Sequence, residues 1–176
     1  VTTAGQAKLA PLFFYFRTNH TPHMPSLEEL LQQAKFRSER HKALISILYC
    51  ANLINGCYDE IFTKYGLTIQ QYNVLRILRG QYPNASTINL IRERMLDRMS
   101  DASRIVERLR KADLVERVPC TTDRRAVDVR ITQKGLDLLA KIDKLDNNMD
   151  MPAERLSEKE AKELSALLEK ILDQMA

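Results

Sequence analysis

A chain of 176 residues with 44% apolar side chains, 5 Gly and no Trp can bury one sizeable core, leaves little room for a second large domain and is too apolar for wholesale disorder. Its net charge is +4, and the whole excess lies between Ser86 and Lys134, where twelve basic residues stand against eight acidic ones. A localised positive segment points to a polyanionic partner, and the absence of any run of about eighteen uncharged apolar residues excludes a membrane-spanning helix.

Residues 1–25 show no helical or strand period. They carry the aromatic run Phe13-Phe14-Tyr15-Phe16 and then His20, Pro22, His23 and Pro25. The segment reads as an arm on a partner subunit, as a disordered stretch, or as sequence upstream of a start at Met24. The apolar stretch Leu9 to Phe16 lacks the basic start and small-residue cleavage site of a signal peptide, so the expected location is the cytoplasm. His20 and His23 have no further ligand nearby, and no metal or cofactor is expected.

Residues 26–66 read as N-terminal helices. Ser26-Leu27-Glu28-Glu29 is a capping box, with hydroxyl and carboxylate each satisfying the other's backbone N–H. A long helix is expected from about Ser38 to Tyr65, with Leu44, Ile47, Leu48, Ala51, Ile54, Tyr58, Ile61 and Phe62 at spacings of three and four and Gly66 as its left-handed cap. Cys50 and Cys57 share a face of it but are about 10 Å apart in rise, too far for a disulfide. With Cys120 they make an odd count without framework spacing, and the two helical cysteines are expected to be small buried apolar residues.

Residues 67–134 carry the most informative pattern. Thr68 caps a helix with Tyr72, Leu75, Ile77 and Leu78 on its apolar side, ending near Gly80, and Pro83-Asn84 make a turn. Ser86-Thr87-Ile88 is a candidate short strand, Asn89 to Met95 a short helix and Leu96-Asp97-Arg98 a tight connector. A second helix is expected from Met99 or Ser100 to about Ala112. Ala102, Ile105, Val106 and Leu109 form its apolar face; Ser100, Asp101, Ser103, Arg104, Glu107, Arg108 and Lys111 are left free. Two helices joined so tightly suggest a helix-turn-helix. Leu114 to Val118 and Ala126 to Ile131 read as a hairpin, the second strand alternating Val127, Val129 and Ile131 with polar residues. Its loop ends in Arg124-Arg125, which can reach a phosphate backbone or a minor groove.

Residues 135–176 complete the chain. Thr132 caps a helix with Leu136, Leu139, Ile142 and Leu145 on one side; 146–155 is a linker containing Pro152. Ser157-Glu158-Lys159-Glu160 is a second capping box, and Ala161, Leu164, Leu167, Leu168, Ile171 and Leu172 form a wide stripe that asks for a partner subunit. The expected fold is mainly α with a small β-hairpin wing: a winged helix-turn-helix between N- and C-terminal dimerisation helices.

From about Ser38 to Ala176 the chain resembles the MarR family of bacterial winged-helix transcription regulators. The resemblance is sharpest over Asp97-Arg98-Met99-Ser100-Asp101-Ala102-Ser103-Arg104-Ile105-Val106-Glu107-Arg108-Leu109, followed by Ala112-Asp113-Leu114-Val115-Glu116-Arg117. The family's wing signature is matched by Asp123, Arg125, Ile131 and Thr132, with Lys134-Gly135 after it. The resemblance implies a homodimer that binds double-stranded DNA. Ser100, Asp101, Ser103, Arg104 and Arg108 would face the duplex, Arg124 and Arg125 would lie at the wing tip, and Asp123 would hold the wing through Arg104 or Arg108. Asp113 stands where the family often has glycine, and Asp101 places a carboxylate near the DNA. The family's effectors are often small phenolic or aromatic ligands in a cleft that His41, Tyr49, Tyr58 and Tyr72, with Tyr65, would line. Members that sense peroxide use a cysteine whose position falls near Leu44 here.

The expected function is a sequence-specific DNA-binding regulator, a homodimeric repressor on a near-palindrome released by a small molecule. The alternatives are a winged-helix protein-interaction module and a cysteine-based redox-sensing regulator. No nucleophile, base and orienting group fall at informative spacing and no phosphate-binding glycine loop occurs, so an enzyme is not expected.

Overall fold

The computed structural model describes residues 25–119, 127–144 and 149–175. They fall into two compact units, the first ending at Cys57 and the second beginning at Tyr58.

In the first unit Ser26 caps α1 (Leu27–Leu31) through the expected reciprocal box: the Ser26 N–H donates to Glu29 Oε2 at 2.7 Å and the Glu29 N–H to Ser26 Oγ at 3.3 Å. Helix α2 (Glu39–Thr63) begins where the Ser38 hydroxyl accepts the His41 N–H, and Lys42 on its first turn reaches Glu28 of α1 at 2.6 Å. The helix runs on into the second unit. It ends in the left-handed turn expected at Gly66 (φ 69°), where Gly66 N–H bonds to the Thr63 carbonyl and Leu67 N–H to the Phe62 carbonyl.

The middle of α2 departs from expectation. Cys50 is exposed and Cys57 half-buried rather than buried, and Leu44 and Leu48 stand 50% and 65% exposed. Helical spacing puts Leu44 and Leu48 on one face and Cys50 and Cys57 on another. It does not show that anything within one chain covers either face.

The second unit holds the core. Thr68 and Gln71 form a capping box at the start of α3 (Ile69–Arg79), which buries Tyr72, Val74, Leu75 and Leu78. The strand expected at 86–88 is a single bridge. Ser86 exchanges two backbone hydrogen bonds of 2.8 Å with Val129, and Thr87 then caps α4 (Ile88–Arg94), drawing Ile88 into the helix.

The next helix, α5 (Ala102–Lys111), starts later than Met99 or Ser100, because Asp97 holds both of those residues in a turn and Asp101 takes the cap position. Strands β1 (Val115–Pro119) and β2 (Val127–Ile131) pair antiparallel, Val115 opposite Ile131 and Glu116 opposite Arg130. Ala126, the expected first residue of the second strand, lies outside the described residues, as does Leu145 of the next helix's stripe. Thr132 caps α6 (Gln133–Asp143) as expected. Part of the stretch expected as linker forms a 3-10 turn (Met151–Ala153), and Ser157 with Glu160 opens α7 (Glu158–Met175).

Phe62, Leu75, Leu78, Ile91, Leu109, Ile131, Leu139 and Ile142 are each at most 2% exposed and pack α3, α4, α5, α6 and the hairpin into one core with the last turn of α2. At roughly 2 kcal/mol for each large apolar side chain removed from water, these contacts hold the helices in place. An ion pair between Arg79 and Asp143 joins the ends of α3 and α6 at the surface. Among the described residues no helix is long and apolar enough to cross a membrane.

Candidate nucleic-acid interface

The site is built on α5, whose two faces separate as the periodicity predicts. Ala102, Ile105, Val106 and Leu109 are buried, while Ser103, Arg104, Arg108, Arg110 and Lys111 are exposed. Core packing therefore anchors one side of the helix and leaves the other free for a ligand.

The N-terminus of α5 is organised by two carboxylates. Asp97 Oδ1 accepts the Met99 N–H at 3.0 Å and Asp97 Oδ2 accepts the Ser100 hydroxyl at 2.6 Å. The Ser100 hydroxyl first, and the Met99 N–H after it, hold the Asp97 carboxyl below its ordinary value. Asp101 then caps the helix, accepting the Arg104 N–H at 3.1 Å, and its other oxygen lies 3.2 Å from Arg104 Nε. Expected as a group facing DNA, Asp101 thus serves the helix end and Arg104, while the Arg104 side chain remains 83% exposed. The connector is tethered from beneath, since the Leu96 N–H donates to Asn73 Oδ1 of α3 at 3.0 Å and Met95 is buried.

Farther along α5, Glu107 ties the helix to the hairpin. It accepts Arg110 Nε and Nη2 at 3.0 and 2.9 Å and lies 3.4 Å from Arg117 of β1. Side chains two apart on a strand share a face, so Arg117 continues the face of buried Val115 out to this contact. The Arg110 guanidinium, ahead of the Arg117 charge, holds the Glu107 carboxyl below its ordinary value. On the hairpin's other face Glu116 accepts Arg130 Nε at 2.9 Å.

The exit from α5 is equally constrained. Asp113 is left-handed (φ 58°), and its carbonyl accepts the Thr132 hydroxyl at 2.8 Å. That hydroxyl also accepts the Gly135 N–H at 3.1 Å, and Lys134 Nζ donates to the Ala112 carbonyl at 2.8 Å. Thr132 therefore joins the end of α5, the end of β2 and the start of α6. Ser86 stitches β2 to the segment entering α4. Both helices of the helix-turn-helix are thereby referenced to the hairpin.

The wing tip residues Asp123, Arg124 and Arg125 lie outside the described residues, as does Cys120. The four expected effector residues fall in different places. His41 and Tyr49 lie half-buried on α2 in the first unit, with His41 edge-on to Phe36 at 6.0 Å between centroids. In the second unit Tyr72 is 8% exposed and stacked on Phe62 at 4.2 Å, and its hydroxyl accepts Arg76 Nη1. Tyr58 tilts on the same Phe62 and donates its hydroxyl to the Met149 carbonyl at 2.9 Å. A groove of about 390 Å³ beside the C-terminal end of α5 is lined by Arg110, Asp113, Val115, Glu116, Arg117 and Thr132 and by none of these four.

Sequence reasoning missed the Asp97 turn, the Asn73 tether and the Glu107 link. Asp97, with Ser100 three residues on, is a turn signature visible in the sequence. The other two depend on side chains from distant elements.

Comparison with known proteins agrees with this architecture. Residues 65–126 match the model of the MarR family. The HTH-type transcriptional regulator PecS of Dickeya dadantii is 29% identical over 123 residues, which are 68% of this chain and 73% of that protein. A crystal structure of a MarR transcription factor from Planctomyces limnophilus is 29% identical with a TM-score of 0.59, covering 77% of this chain and 98% of that one. A MarR family regulator from Streptomyces coelicolor, crystallised with DNA, shares the fold at a TM-score of 0.69 and 19% identity over 80% of this chain and 90% of that one. Fold, relatives and family model agree: the chain has a winged helix-turn-helix fold and is similar to the transcription regulators of the MarR family.

Proposed function

We propose that the protein is a homodimeric repressor that reads a near-palindromic operator. In this reading α5 enters the major groove with Ser100, Asp101, Ser103, Arg104 and Arg108 towards the duplex. The wing carries Arg124 and Arg125 to the minor groove, and Asp123 shapes the wing. The observation that carries the proposal is the free face of α5: Arg104 and Arg108 are exposed on a helix whose opposite face is wholly buried and whose two ends are pinned. Two such helices at a fixed separation address half-sites about one helical turn apart. The relative crystallised with DNA has the same fold.

The partner for dimerisation is a second copy of this chain. Helix α7 buries no residue, and Leu164, Leu167 and Leu172 are 46%, 58% and 64% exposed along one stripe. A small phenolic or aromatic effector would release DNA by favouring one separation of the two α5 helices over the other. The exposure of Cys50 favours a second reading in which oxidation of that thiol does the same.

The test is selection of duplexes from a random pool, followed by gel shifts across a salt series. A palindrome is expected, with affinity falling steeply as salt rises. Arg104→Ala should weaken binding by about 1–3 kcal/mol, and Arg125→Ala should weaken it while leaving the dimer folded. A pool from which no sequence is enriched would leave a protein-docking module instead. Phenolics and peroxide added to the same assay separate the two modes of release.

A further inference from the structure

The connector between α4 and α5 carries a feature that phosphate binding does not explain. Leu96 is 86% exposed and Met99 94%, the two most exposed large apolar side chains among the described residues. Neither sits on a loose end. The Leu96 N–H is bonded to Asn73 of α3, and the Met99 N–H is bonded to the carboxylate of Asp97, which also takes the Ser100 hydroxyl. The turn thus holds two apolar side chains out in water just before the N-terminus of α5.

Their surroundings indicate what they meet. Arg92, Arg94, Arg98 and Arg104 flank them in sequence, and all four are exposed. An apolar protein surface would need a broad patch to bind, about 800 Å² on each partner, and two side chains among arginines do not supply it. A DNA major groove pairs anionic phosphate rims with a floor on which thymine alone presents an apolar group, its C5-methyl. In a helix-turn-helix the N-terminal residues of the second helix are the ones that approach base edges. The connector's charges match the rims and its apolar tips match the floor.

We propose that Met99, with Leu96 beside it, reads thymine methyl groups in the major groove, and that Asp97 is the positioning residue that presents Met99. The inference rests on the DNA-reading function above and adds a specificity element that the basic residues cannot provide.

The experiment uses the full chain and the duplex selected by it from a random pool. Each thymine in turn is replaced by uracil, which pairs identically but lacks the methyl group, and affinity is measured for the wild type, Met99→Ala and Met99→Gln. Circular dichroism checks that the variants are folded. At one symmetry-related pair of positions, uracil should weaken wild-type binding about fourfold per half-site, the worth of one buried methyl-sized group. The same replacement should cost Met99→Ala and Met99→Gln nothing. Asp97→Ala should shrink the uracil penalty at that position, while Asp97→Asn, which keeps one oxygen to accept the Met99 N–H and can donate from its amide to Ser100 Oγ in place of the other bond, should restore most of it. If a palindrome is selected but the uracil profiles of wild type and Met99→Ala coincide, this inference fails and the DNA-reading function stands. If no sequence is enriched, both fall.

Discussion

At the scale of single residues, two backbone positions show how tightly the reading module is joined. A Cβ on Gly135 would press on the Leu114 carbonyl oxygen and lie 2.7 Å from Ile131 Cγ1. Gly135→Ala should therefore cost about 1–3 kcal/mol in urea denaturation, because the neighbours are backbone and a buried side chain with nowhere to move. Asp113 poses the opposite case. It occupies a left-handed conformation (φ 58°) that favours glycine, and its carboxylate is 3.8 Å from Lys134, a distance at which an exposed pair is worth little. Asp113→Gly should stabilise the protein by about 1 kcal/mol and raise Tm by a few degrees, whereas Asp113→Val should lower it. The sequence already marks this position, since the resemblance places a glycine there. Why a glycine would suit this position became evident only from the backbone angle.

Helix ends and the helix–hairpin link belong to the scale of elements. Asp101 serves α5 both as a cap and as a partner for Arg104. Asp101→Ala should destabilise by about 1 kcal/mol, and Asp101→Asn, which still caps, should recover most of that loss. The link through Glu107 carries a pH dependence of definite sign. Its carboxyl is held below the ordinary 4.5, chiefly by Arg110, so the contribution of the link is present above that ordinary value and is lost as pH falls through the depressed one. A carbon-detected NMR titration should place the Glu107 midpoint below 4.5, and Arg110→Ala should move it up towards 4.5; an unchanged midpoint would sever Glu107 from Arg110 in solution.

At this scale most boundaries were legible in advance. The caps at Ser26, Thr68, Thr132 and Ser157 form where their spacing placed them, because a capping bond spans only three residues. The start of α5 was displaced because Asp97 holds Met99 and Ser100 in a turn while Asp101 caps through the Arg104 N–H, and periodicity alone does not rank the two carboxylates as caps. Ser86 looked like a strand by composition, yet bridging depends on where Val129 arrives from 43 residues away.

For the whole molecule, the proposed dimer makes the sharpest prediction. Leu168→Glu with Leu172→Glu should convert the sedimenting species from dimer to monomer. It should also lower operator affinity about a hundredfold or more, as the second half-site becomes a separate binding event. Retention of the dimer would remove α7 from the interface. The winged helix-turn-helix and the amphipathic division of α5 were readable from the chain alone, since both follow from short-range periods and local caps. The exposure of Leu44 and Leu48 on one stripe, and of Cys50 on another, was not, because a helical stripe records only that side chains lie together and never what covers them. The same holds for Met99: its neighbours in sequence suggest an ordinary helix start, and only the Asp97 turn and the Asn73 tether leave it projecting into water. What local spacing encodes is therefore determined by the sequence itself; which faces are buried, and which apolar tips stand free, was decided by contacts between elements distant along the chain.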